Sequence, residues 1–146
     1  MPKRYFDETA EKRIIAAIQE AEARTSGEIM VHIETRCPSD ALSRGLQLFR
    51  QLGVDQTKLH NGVLIYAAIN DRRLAIIADT GINAVVAESF WEQTKAQIIA
   101  YFLDEEYTDG LVEGICLVGD ALAHYFPVVR DQPNINQLPD EISFGQ

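Results

Sequence analysis

Residues 61–82, NGVLIYAAINDRRLAIIADTGI, constrain the fold more than any other stretch of this chain. They read as two apolar strands, Gly62 to Ile69 and Arg72 to Ala78, joined by a two-residue turn at Asn70-Asp71. Asn-Gly or Asp-Gly would be the stronger hairpin signal, but Asn-Asp is compatible with one. Polar residues gather at both ends of the pair. Asn61, Asp79 and Gly81 fall at one end, and Asn70, Asp71, Arg72 and Arg73 at the other. Strand ends are where open α/β sheets bind ligands.

The rest of the chain supplies the partners for this hairpin. Asp7 is a plausible N-cap for a first helix running to about Arg24, with Ile14, Ile15, Ile18 and Ala21 on one face. Ser26-Gly27 ends it. Glu28 to Thr35, EIMVHIET, follows as a strand in which Ile29, Val31 and Ile33 form one fully buried face. Pro38-Ser39 opens a second helix with Leu42, Leu46 and Phe49 at helical spacing, closed by Gly53. Beyond the hairpin, Ile82 to Glu88 and Phe90 to Leu103 read as helical pieces, the second carrying Trp91, Thr94, Ile98 and Tyr101 on one face. Gly110 to Phe126 is the clearest helix, with a stripe of Leu111, Ile115, Val118, Leu122 and Tyr125. Residues 127–146 contain Pro133 and Pro139 and no periodicity. They read as an irregular C-terminal strap anchored by Leu138, Ile142 and Phe144.

A strand–helix–strand unit makes the first two strands parallel with a right-handed crossover. The hairpin makes the third antiparallel to the second. The expected fold is α/β: an α/β/α sandwich with a small mixed sheet of three to four strands. At 146 residues, residues 1–146 form one domain, large enough to bury roughly 68% of the surface its unfolded chain would expose.

Composition excludes several function classes. A net charge of −9 repels phosphates, and the basic doublets Lys3-Arg4 and Arg72-Arg73 are too short to make a patch, so nucleic-acid binding is not expected. The same acidity suits divalent cations, or serves solubility alone. The start MPKRYFDETA lacks the apolar core of a signal peptide, and no run of about 18 apolar residues could span a membrane. A cytoplasmic protein without a membrane partner is the expectation. Cys37 and Cys116 have neither zinc-site spacing nor the pattern of a disulfide framework. Cys116 lies in an apolar helix and reads as a buried thiol.

The topology sorts the polar residues. The starts of the two parallel strands lie together with the end of the third. Ser26, Gly27 and Glu28 therefore converge with His60 and Asn61 and with Asp79, Thr80 and Gly81. This set offers carboxylates, an amide, hydroxyls and glycine-linked carbonyls, the oxygen donors that hard cations take. The plainer alternative is that Asp79 caps the following helix, Asn61 stabilises the turn and Glu28 is solvated. Glu34, Thr35, Arg36 and Cys37 converge with Asn70 to Arg73 at the opposite end. There Asp71 with two arginines is either a solvated hairpin tip or a weaker cation or phosphate contact. His32 reads as packed beneath a helix. His60 is a loop histidine beside the first cluster. His124 complements a helix C-terminus. Phosphate-loop, dinucleotide and nucleophile-elbow motifs are absent.

Ser26-Gly27-Glu28-Ile29, Gly53-Val54, Asn61-Gly62-Val63-Leu64, Asp71-Arg72 and Gly81-Ile82, followed by Tyr107, Gly110 and Leu111, resemble the TPM domain family in the order of its motifs. The resemblance covers roughly residues 10 to 125. It implies an α/β/α sandwich, binding of a metal ion that is usually calcium, and phosphatase-type activity. The tail QLPDEISFG resembles that of bacterial members built of this domain alone. Where the family has Gly-x-Gly-Leu-Glu, this chain reads Asp79-Thr80-Gly81-Ile82-Asn83, so an acidic ligand has moved to position 79.

Two functions follow. One is a divalent-metal-binding domain with metal-dependent phosphatase activity on a phosphate ester or nucleotide. Its metal is held by Glu28, Asn61, Asp79 and Gly81, with Asp71 the lesser candidate and calcium favoured over magnesium. The other is a non-catalytic calcium-binding or protein-interaction module. No residue type at these positions identifies a catalytic base, a substrate or a protein partner.

Overall fold

The computed structural model describes residues 6–128 and 141–145. The elements in chain order are α1 (Glu8–Ala23), β1 (Glu28–Glu34), α2 (Ala41–Gln51), a 3-10 turn (Val54–Gln56), β2 (Gly62–Ala68) and β3 (Arg73–Ala78). The one-turn helix α3 (Thr80–Asn83), α4 (Glu88–Leu103), α5 (Tyr107–Tyr125) and β4 (Ile142–Phe144) complete them. The strands form one sheet in the order β3-β2-β1-β4. β1 runs parallel to β2 and to β4, and β2 runs antiparallel to β3. The α/β sandwich with a mixed sheet of four strands matches the sequence expectation. Its fourth strand lies in the segment expected to be an irregular strap, and Leu138 falls outside the described residues.

Helices cover both faces. On one, Ile29, Val31 and Ile33 of β1 and Val63, Ile65 and Ala67 of β2 share a core with Ile14 and Ile18 of α1, Ile98 of α4 and the α5 stripe Leu111, Ile115, Val118 and Leu122. On the other, Met30, Leu64, Tyr66, Ala75 and Ile77 meet Leu48 and Phe49 of α2 and Val54 of the 3-10 turn. Each fully buried branched side chain contributes about 1.5–3 kcal/mol.

Four sequence expectations change. β1 is buried on both faces rather than one, because the polar row His32 and Glu34 lies inside too. α2 buries Gly45, Leu48 and Phe49, while Leu42 and Leu46 remain 60% and 38% exposed. Gly45 explains the rotation: a Cβ there would sit 3.0 Å from Ile77 Cγ1, so the helix is closest to β3 where it has no side chain. The hairpin connection has four residues, Ile69 to Arg72, with Arg72 in the left-handed region at φ 53°. This conformation suits a longer loop than Asn70-Asp71 alone would make. Cys116 is exposed rather than buried; it lies on the side of α5 away from the Leu111–Leu122 stripe.

Candidate metal site

The parallel crossover brings the expected residues to one end of the sheet. The Glu28 N–H donates to Asn61 O at 3.4 Å, the Asp79 N–H to Gly62 O at 3.0 Å and the Gly81 N–H to His60 O at 2.8 Å. Glu28, Asn61, Asp79 and Gly81 thus share one rim, and the side chains of Glu28, Asn61 and Asp79 are all buried.

Their side chains do different things. Asp79 is the N-cap of α3: its Oδ1 accepts from the Thr80 N–H at 2.8 Å, and its Oδ2 lies 3.2 Å from His60 Nδ1. Gly81 is a close-approach glycine, since a Cβ there would fall 2.1 Å from Leu59 O and 2.6 Å from His60 O. Asn61 is held by its backbone N–H on Thr57 Oγ1 at 3.1 Å and by a long contact from Nδ2 to Ser26 Oγ at 3.4 Å. Its Oδ1 is buried and accepts no hydrogen bond. A buried acceptor left in this state costs about 1–3 kcal/mol. Asp55 Oδ1, in the 3-10 turn just before this rim, is buried without a donor as well. Sequence reasoning passed over Asp55 as part of a polar loop; the buried Val54 side chain and the close packing of Val54 O over Gly62, 2.5 Å from where a Cβ would be, bring that turn against the strand.

These donors suit a hard cation in kind. All are oxygens, and calcium accepts amide and main-chain carbonyls beside carboxylates. They fit only in part as a preformed cage. Among the described residues no three His, Cys, Asp or Glu side chains group closely enough to hold a metal. A cation here would depend on Asn61 Oδ1 and carbonyls alongside the Asp79 carboxylate. Strand alternation also matters: Glu28 pairs with Gly62 in register, so Glu28 and Asn61 point to opposite sides of the sheet.

The opposite end is a closed polar network that the sequence reading missed. Glu34 accepts from Arg44 Nε at 3.0 Å and Arg44 Nη2 at 2.8 Å, from the Tyr66 hydroxyl at 2.6 Å and from His32 Nε2 at 2.9 Å. His32 Nδ1 in turn meets Ser143 Oγ of β4 at 2.8 Å, and the His32 ring stacks on Tyr66 with centroids 5.9 Å apart. Burial alone would raise the Glu34 carboxyl, but the bonds from Arg44, Tyr66 and His32 outweigh it and hold it at about 2. Burial lowers His32 by more than Glu34 raises it. A neutral His32 fits the geometry: Nε2–H donates to the carboxylate, which can only accept, and Nδ1 accepts from Ser143. Burial, with Cys37 and Glu34 nearby, raises the Tyr66 hydroxyl. The register pairs His32 with Tyr66 and Glu34 with Ala68; that register is the signal that would have found the network.

Asp71, the lesser metal candidate, accepts from the Cys37 N–H at 2.7 Å and so ties the hairpin to the loop after β1. Cys37 Sγ contacts Ser39 O at 2.9 Å. Asp71 is exposed and Cys37 half-buried, and both are structural in their bonding. No helix among the described residues is long and apolar enough to cross a membrane.

This fold and the order of its rim residues define a known class. The chain belongs to the TPM domain family, whose model matches residues 2–121. It is similar to the BA42 protein of the psychrophilic bacterium Bizionia argentinensis, whose NMR structure superposes with a TM-score of 0.88 at 44% identity over 96% of this chain and 95% of that one. The N-terminal domain of cg2496 from Corynebacterium glutamicum shares the fold alone, at a TM-score of 0.64 and 14% identity over 80% of this chain and 74% of that one. A comparison with curated proteins gave no match.

Proposed function

We propose that this TPM domain binds a divalent cation, calcium in preference to magnesium, at the rim of Asn61, Asp79 and Gly81, with the Glu28 side chain adding negative charge from the face of the sheet opposite Asn61. The observation that carries the reading is Asn61 Oδ1, a buried amide oxygen with no donor, on the same rim as the Asp79 carboxylate, whose outer oxygen meets an exposed histidine at 3.2 Å. A cation would satisfy the first and compete with His60 for the second. Oxygen-only donors and carbonyl participation favour calcium, which tolerates irregular coordination better than magnesium. Asp71 is the alternative ligand, and its commitment to the Cys37 amide argues against it.

Catalysis is a second reading with one observation behind it. His60 is exposed and hydrogen-bonded to Asp79, which makes it a proton carrier at the same rim. A bound cation supplies polarisation of a phosphoryl oxygen and a pre-oriented water. With the cation on Asp79 the His60 imidazole would be released from that carboxylate, and His60 would hold or deliver the proton of the leaving oxygen of a phosphomonoester or nucleotide. The non-catalytic reading, a calcium-binding or protein-interaction module, needs the rim alone.

Thermal unfolding with added calcium tests the cation. A ligand at 100 times its dissociation constant adds about 2.7 kcal/mol, or roughly 5–10 °C for a domain of this length. Phosphate release from nitrophenyl phosphate, with chelator as control, then separates the two readings. Release that requires the ion and falls in His60→Gln supports catalysis. A calcium-stabilised protein that releases no phosphate is the binding module. A melting temperature indifferent to calcium overturns both.

A further inference from the structure

We propose that the open edge of β3 is a self-association surface, on which β3 of a second copy of this chain pairs antiparallel and joins the two sheets into one. The proposal goes beyond cation binding and does not depend on it.

Among the described residues β3 is the outermost strand at one side of the sheet, with no strand beyond it. The bond from the Asp79 N–H to Gly62 O marks 62–79 as a hydrogen-bonded pair. In the observed register the bonded pairs then alternate through Ile77, Ala75 and Arg73. Leu74, Ile76 and Ala78 therefore turn their N–H and C=O groups outward. Proteins usually guard such an edge with charges, proline or a bulge along its length. From Leu74 to Ala78 this edge has none. Its charges stand only at the two ends.

The flanks of the edge are also unfinished. Because α2 rides on β3 at Gly45, Leu42 and Leu46 are left 60% and 38% exposed on one wall. Trp91 and Val86 line the other, and the groove between them has a volume of about 760 Å³. An open strand between two apolar walls is the setting of strand addition.

Charge complementarity selects the occupant. The strand reads Arg72-Arg73-Leu-Ala-Ile-Ile-Ala-Asp79, positive at its start and negative at its end. A two-fold axis at Ile76 places Ile76 against Ile76 of the second copy, Leu74 against Ala78 and Arg73 against Asp79. Every outward backbone group gains a partner, and both charged ends meet their opposites. The α4 wall carries Glu88 and Glu92 as well as Lys95 along its groove-lining stretch, so the complementarity rests on Arg73 and Asp79 of the strand itself. Such an interface is isologous and closes at the dimer.

Sedimentation and light scattering between about 10 µM and 1 mM, in chelator, test the proposal by mass action. The mass should rise with concentration from 16.4 kDa towards twice that value. The exposed double change Leu42→Glu/Leu46→Glu should weaken the dimer by about tenfold or more, and so should Arg73→Glu, which opposes Asp79 of the second copy with a like charge. Circular dichroism checks that each variant is folded. Isotope-filtered NOEs in a mixed labelled sample should connect Leu74 to Ala78 between copies. A monomer throughout the range overturns the proposal, as does a dimer that both variants leave intact or whose NOEs lie elsewhere. A wild-type monomer that instead binds an isolated apolar peptide at β3 also overturns it, and assigns the groove to a foreign strand.

Discussion

The two ends of the sheet are built from similar residues and behave oppositely. At one end the Glu34 carboxylate accepts two bonds on each oxygen, and its donors Arg44, Tyr66 and His32 come from three elements. At the other, Asn61 Oδ1 is buried with no donor, and Asp79 divides its oxygens between a helix cap and an exposed histidine. A satisfied buried network fixes structure and leaves nothing for a ligand. An unsatisfied buried acceptor carries a cost that a bound ion would remove. Buried charge at a strand end is thus no guide to function until its partners are counted.

The largest expected effect comes from breaking the closed end. Glu34→Ala leaves the Arg44 guanidinium and the Tyr66 hydroxyl without their acceptor and should cost roughly 3 kcal/mol or more. Asn61→Ala at the open end removes an acceptor that has no donor, and should stay within about 1 kcal/mol in calcium-free buffer. Urea denaturation measures both. Equal losses would abolish the distinction between the ends.

The pH dependence belongs to the closed end as well. Neutral His32 has a folded pKa lowered from 6.5, so its contribution is present above pH 6.5 and is lost as pH falls below it. Glu34 falls from 4.5 unfolded to about 2 folded. Its contribution is complete above pH 4.5 and is lost between there and about pH 2. The urea midpoint should therefore fall steadily from pH 7.5 to pH 3. A midpoint higher at pH 5 than at pH 7.5 would mean that His32 is charged and paired in the folded state.

The smallest effect sharpens the open end. Asp79→Ala removes the cap of α3 and should cost about 1 kcal/mol. Asp79→Asn keeps a capping oxygen and should cost no more than a few tenths. Both should abolish stabilisation by calcium, because both remove the charge. If Asp79→Asn keeps the full calcium response, Asp79 is a cap and nothing more.

Much of this was legible in the sequence. The alternating run Glu28 to Thr35, the apolar runs Gly62 to Ile69 and Arg72 to Ala78, and the stripe Leu111–Leu122 set the layers, and the parallel crossover with the hairpin put Glu28, Asn61 and Asp79 on one rim. The plainer alternative for Asp79, a helix cap, is what its Oδ1 does. Other features depend on contacts that a linear pattern does not carry. α2 is rotated by the closeness of Gly45 to Ile77, which periodicity cannot register. The Glu34 network joins residues 32, 34, 44, 66 and 143, and becomes visible only once strand register and the docking of β4 are known. Asp55 looked like loop polarity until Gly62 let its turn pack against the strand.

The most direct test of cation binding at the open rim is a calcium titration followed by 1H–15N NMR, with magnesium as a second arm. Saturable shifts should centre on the Asn61 side-chain amide and the Asp79, Thr80 and Gly81 backbone amides, weaker with magnesium, while the Arg44 and Tyr66 resonances stay still. No shift at millimolar calcium, or shifts centred on Asp71 to Arg73 or on Glu34, would contradict it.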